Sequence, residues 1–283
     1  MGADGAVHDA AGSDDGMGTL SRDGFEPALL RLIAPWLGPG PGKTPVIACG
    51  MVGSRQGWAE VPYRAVPCKP GAAVPQAVET ADPRLSLHIV PGISQAAPPD
   101  VMRGEETQIA GALADLPQFD GVLCLPGTHT KWAHVSAAEV VSFQTCMTGE
   151  IFALLSEHSV LRHSVGTGSL DRAAFLDAVS EPLSRPERLA QLLFAIRAEG
   201  LLQGADAPRA RGRLSGLLIG AELAASRPYW LGQQVLVGGA EPMAGLYRAA
   251  LEAQGVPVIL RDAESLTLAG LRHAHAWLTE TIG

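Results

Sequence analysis

Gly121-Val-Leu-Cys-Leu-Pro-Gly-Thr-His-Thr-Lys-Trp132 is the stretch on which the reading of this chain turns. Gly121 to Leu125 carry no charged or hydroxyl side chain and are too few for a helix. They read as a strand buried on both faces, closed by Pro126-Gly127. The same pattern, a short apolar run and then glycine, recurs along the chain. Pro45-Val-Ile-Ala-Cys49 runs into Gly50-Met-Val-Gly-Ser-Arg-Gln-Gly57-Trp58, Leu85–Val90 stops at Pro91-Gly92, and Gln234–Val237 ends in Gly238-Gly239. Val140–Thr145 and Val256–Leu260 read as further strands.

Helical stretches separate them. The first takes Ser21 or Asp23 as cap, presents Leu29, Leu30, Leu32, Ile33, Trp36 and Leu37 as its apolar face, and is ended by Gly38-Pro-Gly-Pro-Gly-Lys43. Others cover Thr107–Leu116, most of 149–200 with a break at Pro182 and Pro186, Leu214–Ala225, a segment through Glu252, and Leu266–Thr279. Strands alternating with helices predict an α/β fold with parallel pairings. Ligands of such folds sit beyond the carboxyl ends of the strands, so the loops after them are where chemistry is sought.

Composition narrows the chemistry. The chain has 283 residues, 47% hydrophobic, 18% charged and only 5% aromatic, which suits a sizeable aliphatic core. A net charge of −8 with no Lys/Arg run argues against a nucleic-acid surface. No apolar run has membrane-spanning length, and the start lacks a signal-peptide core. Cys49, Cys68, Cys124 and Cys146 show no CxxC spacing and the histidines no HxxxH pair, so neither a disulfide framework nor a metal on protein nitrogen ligands is expected. The expectation is a cytoplasmic enzyme of small molecules.

Four loops carry candidate groups. Gly127, Thr128, His129, Thr130 and Lys131 place a glycine, two hydroxyls and one of three lysines after a strand, where backbone N–H groups and a cation can meet phosphate; an ordinary hairpin turn would use the same residue types. Glu105 and Glu106 stand before a helix, either complementing its dipole or offering a general base with Arg103 beside it for an anion. Ser54, Arg55, Gln56 and Trp58 suit sugar hydroxyls and a carboxylate, or simply a polar surface. Gly238, Gly239 and Ala240 allow close approach of an adenine or ribose. Thr148-Gly-Glu150 reads as a helix N-cap, and His273 and His275 as helix-surface residues.

Taken in order, these segments resemble sugar kinases of the actin, hexokinase and Hsp70 superfamily. Within it, GMVGSRQGW, VPG, VMRGEETQ, LPGTHTKW, MTGE and SGLLIGAE are similar to the 2-dehydro-3-deoxygalactonokinase family, from about Gly16 to the end. The resemblance implies two ribonuclease-H-like (actin-like ATPase) lobes around a central cleft, at about residues 1–104 and 105–283, with the last helix packing back on the first lobe and closure excluding water. It implies ATP-dependent phosphorylation of the 6-hydroxyl of 2-dehydro-3-deoxy-D-galactonate in galactonate catabolism, with Mg²⁺. Glu106 would be the base. Ser54, Arg55, Gln56, Trp58, Arg103 and Glu105 would bind the sugar acid, with Glu105 orienting a hydroxyl or exchanging roles with Glu106. Residues Gly127–Lys131 would bind phosphate, and Gly238–Ala240 adenosine.

The family opens with a turn of the type Asp-x-Gly-[TS]-[TS]-Asn, the first phosphate loop. Met1-Gly-Ala-Asp-Gly-Ala-Val7 resembles the hairpin that follows it, with Asp4-Gly5 as the turn, so that loop is expected to be absent. Two alternatives stay open: a catalytically silent sugar-acid-binding protein, and a kinase of another sugar acid. The expected partners are the sugar acid, ATP and a second copy in a homodimer, with neither nucleic acid nor membrane.

Overall fold

A computed structural model describes Met1, residues 6–38 and residues 42–282. The Asp4-Gly5 turn and the 39–41 part of the first Gly/Pro cluster lie outside the described residues. The fold is α/β, and by compactness the chain forms two units. One comprises Met1–Phe119, Ala137–Val141 and Glu264–Gly283; the other comprises Asp120–Ser136 and Ser142–Ala263.

The first unit contains α1 (Phe25–Ile33), β1 (Thr44–Ala48), β2 (Arg64–Ala65), β3 (Gln76–Val78), β4 (Leu85–Ile89), β5 (Ile93–Ala96), β6 (Pro99–Met102) and α2 (Glu105–Asp115). β1 pairs parallel with β4, Val46 opposite Leu87, and β3 pairs antiparallel on β4's other edge. β2, β5 and β6 make a second small sheet. Leu87 and Ile89 of β4 turn inward with Val61, against Val46, Ala48, Val52 and Trp58. Trp36, expected on the apolar face of the first helix, is instead exposed and donates its indole N–H to Asp9 at 2.8 Å, because the helix ends at Ile33 and a 3₁₀ turn carries Trp36 outward.

The C-terminal helix α10 (Ala263–Ile282) packs on α2 through two glycines. A Cβ on Gly111 would lie 2.0 Å from the Leu266 carbonyl oxygen, and one on Gly270 would lie 2.0 Å from that of Thr107. Backbones this close leave no room for a side chain. This seam groups the helix bearing Glu105 and Glu106 with the first unit, whereas the sequence reading starts its second lobe at residue 105.

The second unit contains β7 (Gly121–Leu125), β8 (Thr130–Ser136), the part of β9 (Glu139–Cys146) from Ser142 onward, α3 (Thr148–Glu157), α4 (Arg162–Val165), α5 (Arg172–Ser184), α6 (Leu189–Gln203), α7 (Ala207–Ala225), α8 (Arg227–Trp230), β10 (Val235–Gly238), α9 (Met243–Glu252) and β11 (Val258–Arg261). Its sheet runs β11-β10-β7-β8-β9, with β11, β10 and β7 parallel and β8 antiparallel to β7. All five residues of β7 and all four of β10 are buried, as strands covered on both faces must be. Val122, Cys124, Val235 and Val237 meet Phe175, Leu223 and Tyr247 in the main core.

Gly212, Gly216 and Gly220 recur every fourth residue along α7 and face α5. A Cβ at these positions would come within 2.3 Å of the carbonyl oxygens of Asp171, Phe175 and Val179 respectively. Asp171 caps α5 by accepting the N–H groups of Ala173 and Ala174. Pro182 stands inside the last turn of α5, and the break falls at Arg185.

Cys68 and Cys124 are buried, Cys49 and Cys146 half-buried, and all four are free thiols. Among the described residues no helix is long and apolar enough to cross a membrane.

Candidate functional site

In the first unit the chain folds the 49–54 loop onto the start of α2. Gly104, with φ of +113°, takes a backbone conformation that favours glycine, and a Cβ there would lie 3.3 Å from the Gly50 Cα. Gly53 lies closer still to Arg103: its Cβ would be 2.8 Å from Nη1. Ser54, Arg103, Glu105 and Glu106 are thereby brought to one region of this unit.

Glu106 is 1% exposed. Its Oε2 accepts the Gly104 N–H at 2.6 Å and its Oε1 the Thr107 hydroxyl at 3.1 Å. Burial pushes this carboxyl up to about 8, and the charge of Glu105 pushes the same way; the N–H groups of Gly104 and Glu106 and the Thr107 hydroxyl pull against them. Glu105 accepts the Arg103 N–H at 3.1 Å. Both carboxylates therefore curl back onto the turn preceding the helix. A carboxylate held this way keeps a fixed direction.

The two arginines differ sharply. Arg103 is buried, gives Nη2–H to the Val61 carbonyl at 2.7 Å and lies over the Tyr63 ring at 4.3 Å. Its Nε and Nη1 are buried without a hydrogen-bond partner. Arg55 is exposed, holding Glu60 at 3.4 Å. Of the other loop residues, Ser54 is buried beside Met17, Gln56 is exposed, and Trp58 stacks on Phe25 at 6.5 Å between centroids. Arg103→Ala is expected to cost roughly 1–3 kcal/mol of stability, because Val61 loses its donor, whereas Arg55→Ala is expected to stay within about 0.5 kcal/mol, as a solvated pair should. Chemical denaturation of both variants checks this contrast, and equal losses would contradict it.

In the second unit two glycine turns stand at the carboxyl ends of neighbouring parallel strands, after β7 and after β10. The β7–β8 turn is shorter than the sequence reading had it. Gly127, Thr128 and His129 are exposed at its tip, whereas Thr130 and Lys131 already belong to β8 and are buried. Lys131 is in register with Leu125, and Thr130 turns its hydroxyl to the Tyr247 hydroxyl at 2.9 Å. The turn rests on the first residues of α3: Glu150 gives its N–H to the Thr128 carbonyl at 2.9 Å, its carboxylate meets His129 Nε2 at 2.6 Å, and a Cβ on Gly149 would strike the Gly127 carbonyl at 2.2 Å. Gly239 touches the same turn, its Cβ position being 3.4 Å from Pro126 Cδ. Gly238 and Gly239 are buried and Ala240 is exposed.

Beside these turns lies a mostly apolar cavity of about 470 Å³, bordered by Thr148, Gly149, Arg211, Leu218, Glu241 and Gly245 among others. That volume falls in the range of small-molecule and cofactor sites.

The sequence model of the 2-keto-3-deoxy-galactonokinase family matches residues 1–274. The chain belongs to this family. It is 40% identical over 280 residues to the protein assigned as 2-dehydro-3-deoxygalactonokinase DgoK1 of Rhizobium meliloti (strain 1021), covering 97% of this chain and 91% of the relative. It is 36% identical over 239 residues to the 2-dehydro-3-deoxygalactonokinase of Escherichia coli (strain K12), covering 83% and 80%. A solved structure of a candidate 2-dehydro-3-deoxygalactonokinase from Sinorhizobium meliloti superposes with a TM-score of 0.91 at 39% identity, covering 98% of this chain and 94% of that one.

Sequence reasoning about this family member missed the acid beneath the β7–β8 turn. Glu222 on α7 is buried, and its carboxylate accepts the Trp132 indole N–H and the Tyr247 hydroxyl, each at 2.7 Å. The Thr148 hydroxyl bonds to it as well, so Thr148, expected as an N-cap, turns its side chain away from the helix end. Burial raises the Glu222 carboxyl above its ordinary value against the pull of these donors. A signal was present: one carboxylate at the end of Leu217-Leu-Ile-Gly-Ala-Glu222-Leu223, an otherwise apolar helical run.

Proposed function

We propose that the chain transfers the γ-phosphoryl group of ATP to the 6-hydroxyl of 2-dehydro-3-deoxy-D-galactonate, releasing ADP. The observation that carries the reading is the family match across residues 1–274. The first unit would bind the sugar acid and the second the nucleotide, as two ribonuclease-H-like lobes around a cleft. In support, for the second lobe alone, β9-β8-β7-β10-β11 is the strand order 3-2-1-4-5 with the second strand reversed.

Glu106 would accept the 6-hydroxyl proton as that oxygen attacks the γ-phosphorus and ADP departs. A buried carboxyl with a raised proton affinity is suited to this, since it can take up a proton near neutral pH. Arg103 would attract the sugar-acid carboxylate, with Arg55 more weakly engaged from the surface. Exposed backbone at Gly127–His129 would meet the phosphates, and the cavity beside Gly149 and Glu241 would take adenosine.

Among the described residues no three His, Cys, Asp or Glu side chains cluster as a cation site. Mg²⁺ would enter as part of the MgATP substrate.

Phosphorus NMR of a reaction containing chain, MgATP and the sugar acid tests the reading. One phosphomonoester at C6 per ADP is expected. Phosphate on another oxygen, or inorganic phosphate alone, would overturn it.

A further inference from the structure

Beneath the tip of the β7–β8 turn, five polar side chains of the second unit close on one another away from solvent. Glu222, 4% exposed, is the centre. Trp132 Nε1–H reaches its Oε1 and the Tyr247 hydroxyl its Oε2, each at 2.7 Å, and Thr148 joins them. Tyr247 gives its single proton to Glu222, and the Thr130 hydroxyl lies within hydrogen-bond reach of both the Tyr247 oxygen, at 2.9 Å, and the Glu222 carboxylate. The hydrogen bonds of the group thus converge on one carboxyl, which they hold in a fixed direction. A carboxylate taken out of water carries a desolvation cost that apolar packing would avoid, and what it supplies here is orientation.

Two members of the group reach the face assigned to the nucleotide. Thr130 immediately follows the exposed tip Gly127–His129. Thr148 opens α3, borders the 470 Å³ cavity and precedes Gly149, on which the Gly127 carbonyl rests.

We propose that Glu222 is a positioning residue for the nucleotide phosphates, holding the β7–β8 turn and the first turn of α3 in register through Thr130, Tyr247 and Thr148. The proposal rests on the nucleotide reading of the second unit. Glu222 touches no substrate in it; it acts through the backbone that does. Adenosine, lacking phosphates, meets the cavity walls, to which the group contributes only Thr148, whereas the phosphates meet the β7–β8 turn, so the two ligands weight different parts of the unit.

The test compares calorimetric affinities for MgATP and for adenosine in the unaltered chain, in Tyr247→Phe and in Glu222→Gln. Tyr247→Phe keeps the ring in the core and removes only the bridging oxygen, so it carries the test should Glu222→Gln fail to fold. MgATP binding is expected to weaken about tenfold or more, the size of one lost charge-assisted hydrogen bond, with adenosine unchanged within about twofold. Equal weakening of both ligands would mean general structural damage and would overturn the positioning role, as would unchanged MgATP affinity. An unaltered chain that binds no MgATP would overturn the nucleotide reading itself and the proposal with it.

Discussion

Glu106→Gln is expected to lower turnover by about 10²–10⁴-fold, the usual contribution of a general base, while the chain stays folded. Glutamine keeps an acceptor for the Gly104 N–H and the volume of the buried side chain, but cannot take a proton. The pH dependence gives a second, independent reading. Only the ionised form of Glu106 can accept the hydroxyl proton, so activity should rise with pH through about 8, where burial places this carboxyl. Stability should move the other way. Folding raises the proton affinity of Glu106 above its ordinary 4.5, so the folded state holds the proton while the unfolded chain releases it. This contribution is complete below about 4.5, falls as pH rises and is lost by about 8. In Glu106→Gln both slopes should disappear. Turnover unchanged by the substitution would remove Glu106 from the mechanism, and a surviving activity limb near 8 would assign that limb to another group.

The second large effect concerns the fold. Gly216→Val should lower stability by about 3 kcal/mol, the upper end of the usual overpacking cost, because its Cβ would fall 2.3 Å from the Phe175 carbonyl and 2.8 Å from the Ala178 Cβ. Neither obstacle is the flexible end of a side chain, so α5 and α7 would have to separate. Gly216 lies between Ser215 and Leu218, which border the cavity, so MgATP affinity should fall together with the denaturation midpoint. Gly232→Val, at a surface turn with open space around the Cβ position, serves as a contrast: its φ of +75° brings backbone strain but no collision. A midpoint for Gly216→Val equal to that of the unaltered chain would contradict the close-packed seam.

What the sequence could show depended on how local each signal was. Gly121–Leu125 was legible to the residue because a buried parallel strand is apolar throughout. β8 was not: Thr130-Lys-Trp132 reads as the polar end of a loop, and only the tertiary partner of the Thr130 hydroxyl explains its burial. β2, β3, β5 and β6 span two to four residues each, too few to show a period of two. The grouping of α2 with α10 depends on contacts between residues about 160 positions apart, which no window of sequence reveals. At the candidate site the residue types could be read, but the side-chain directions were hidden. Arg55 and Arg103 look alike as letters, yet one is solvated and the other enclosed against Gly53 and Tyr63. Trp58 belongs to a stack with Phe25, which residue type alone could not distinguish from a sugar platform.

The most direct test of the central claim is the initial rate of ADP formation from MgATP by this chain, with and without 2-dehydro-3-deoxy-D-galactonate. The account predicts ADP formation that requires the sugar acid, saturates with it, and falls by the stated factor in Glu106→Gln. Binding of the sugar acid with no ADP formed would contradict it, and would make the chain a sugar-acid-binding member of a kinase family.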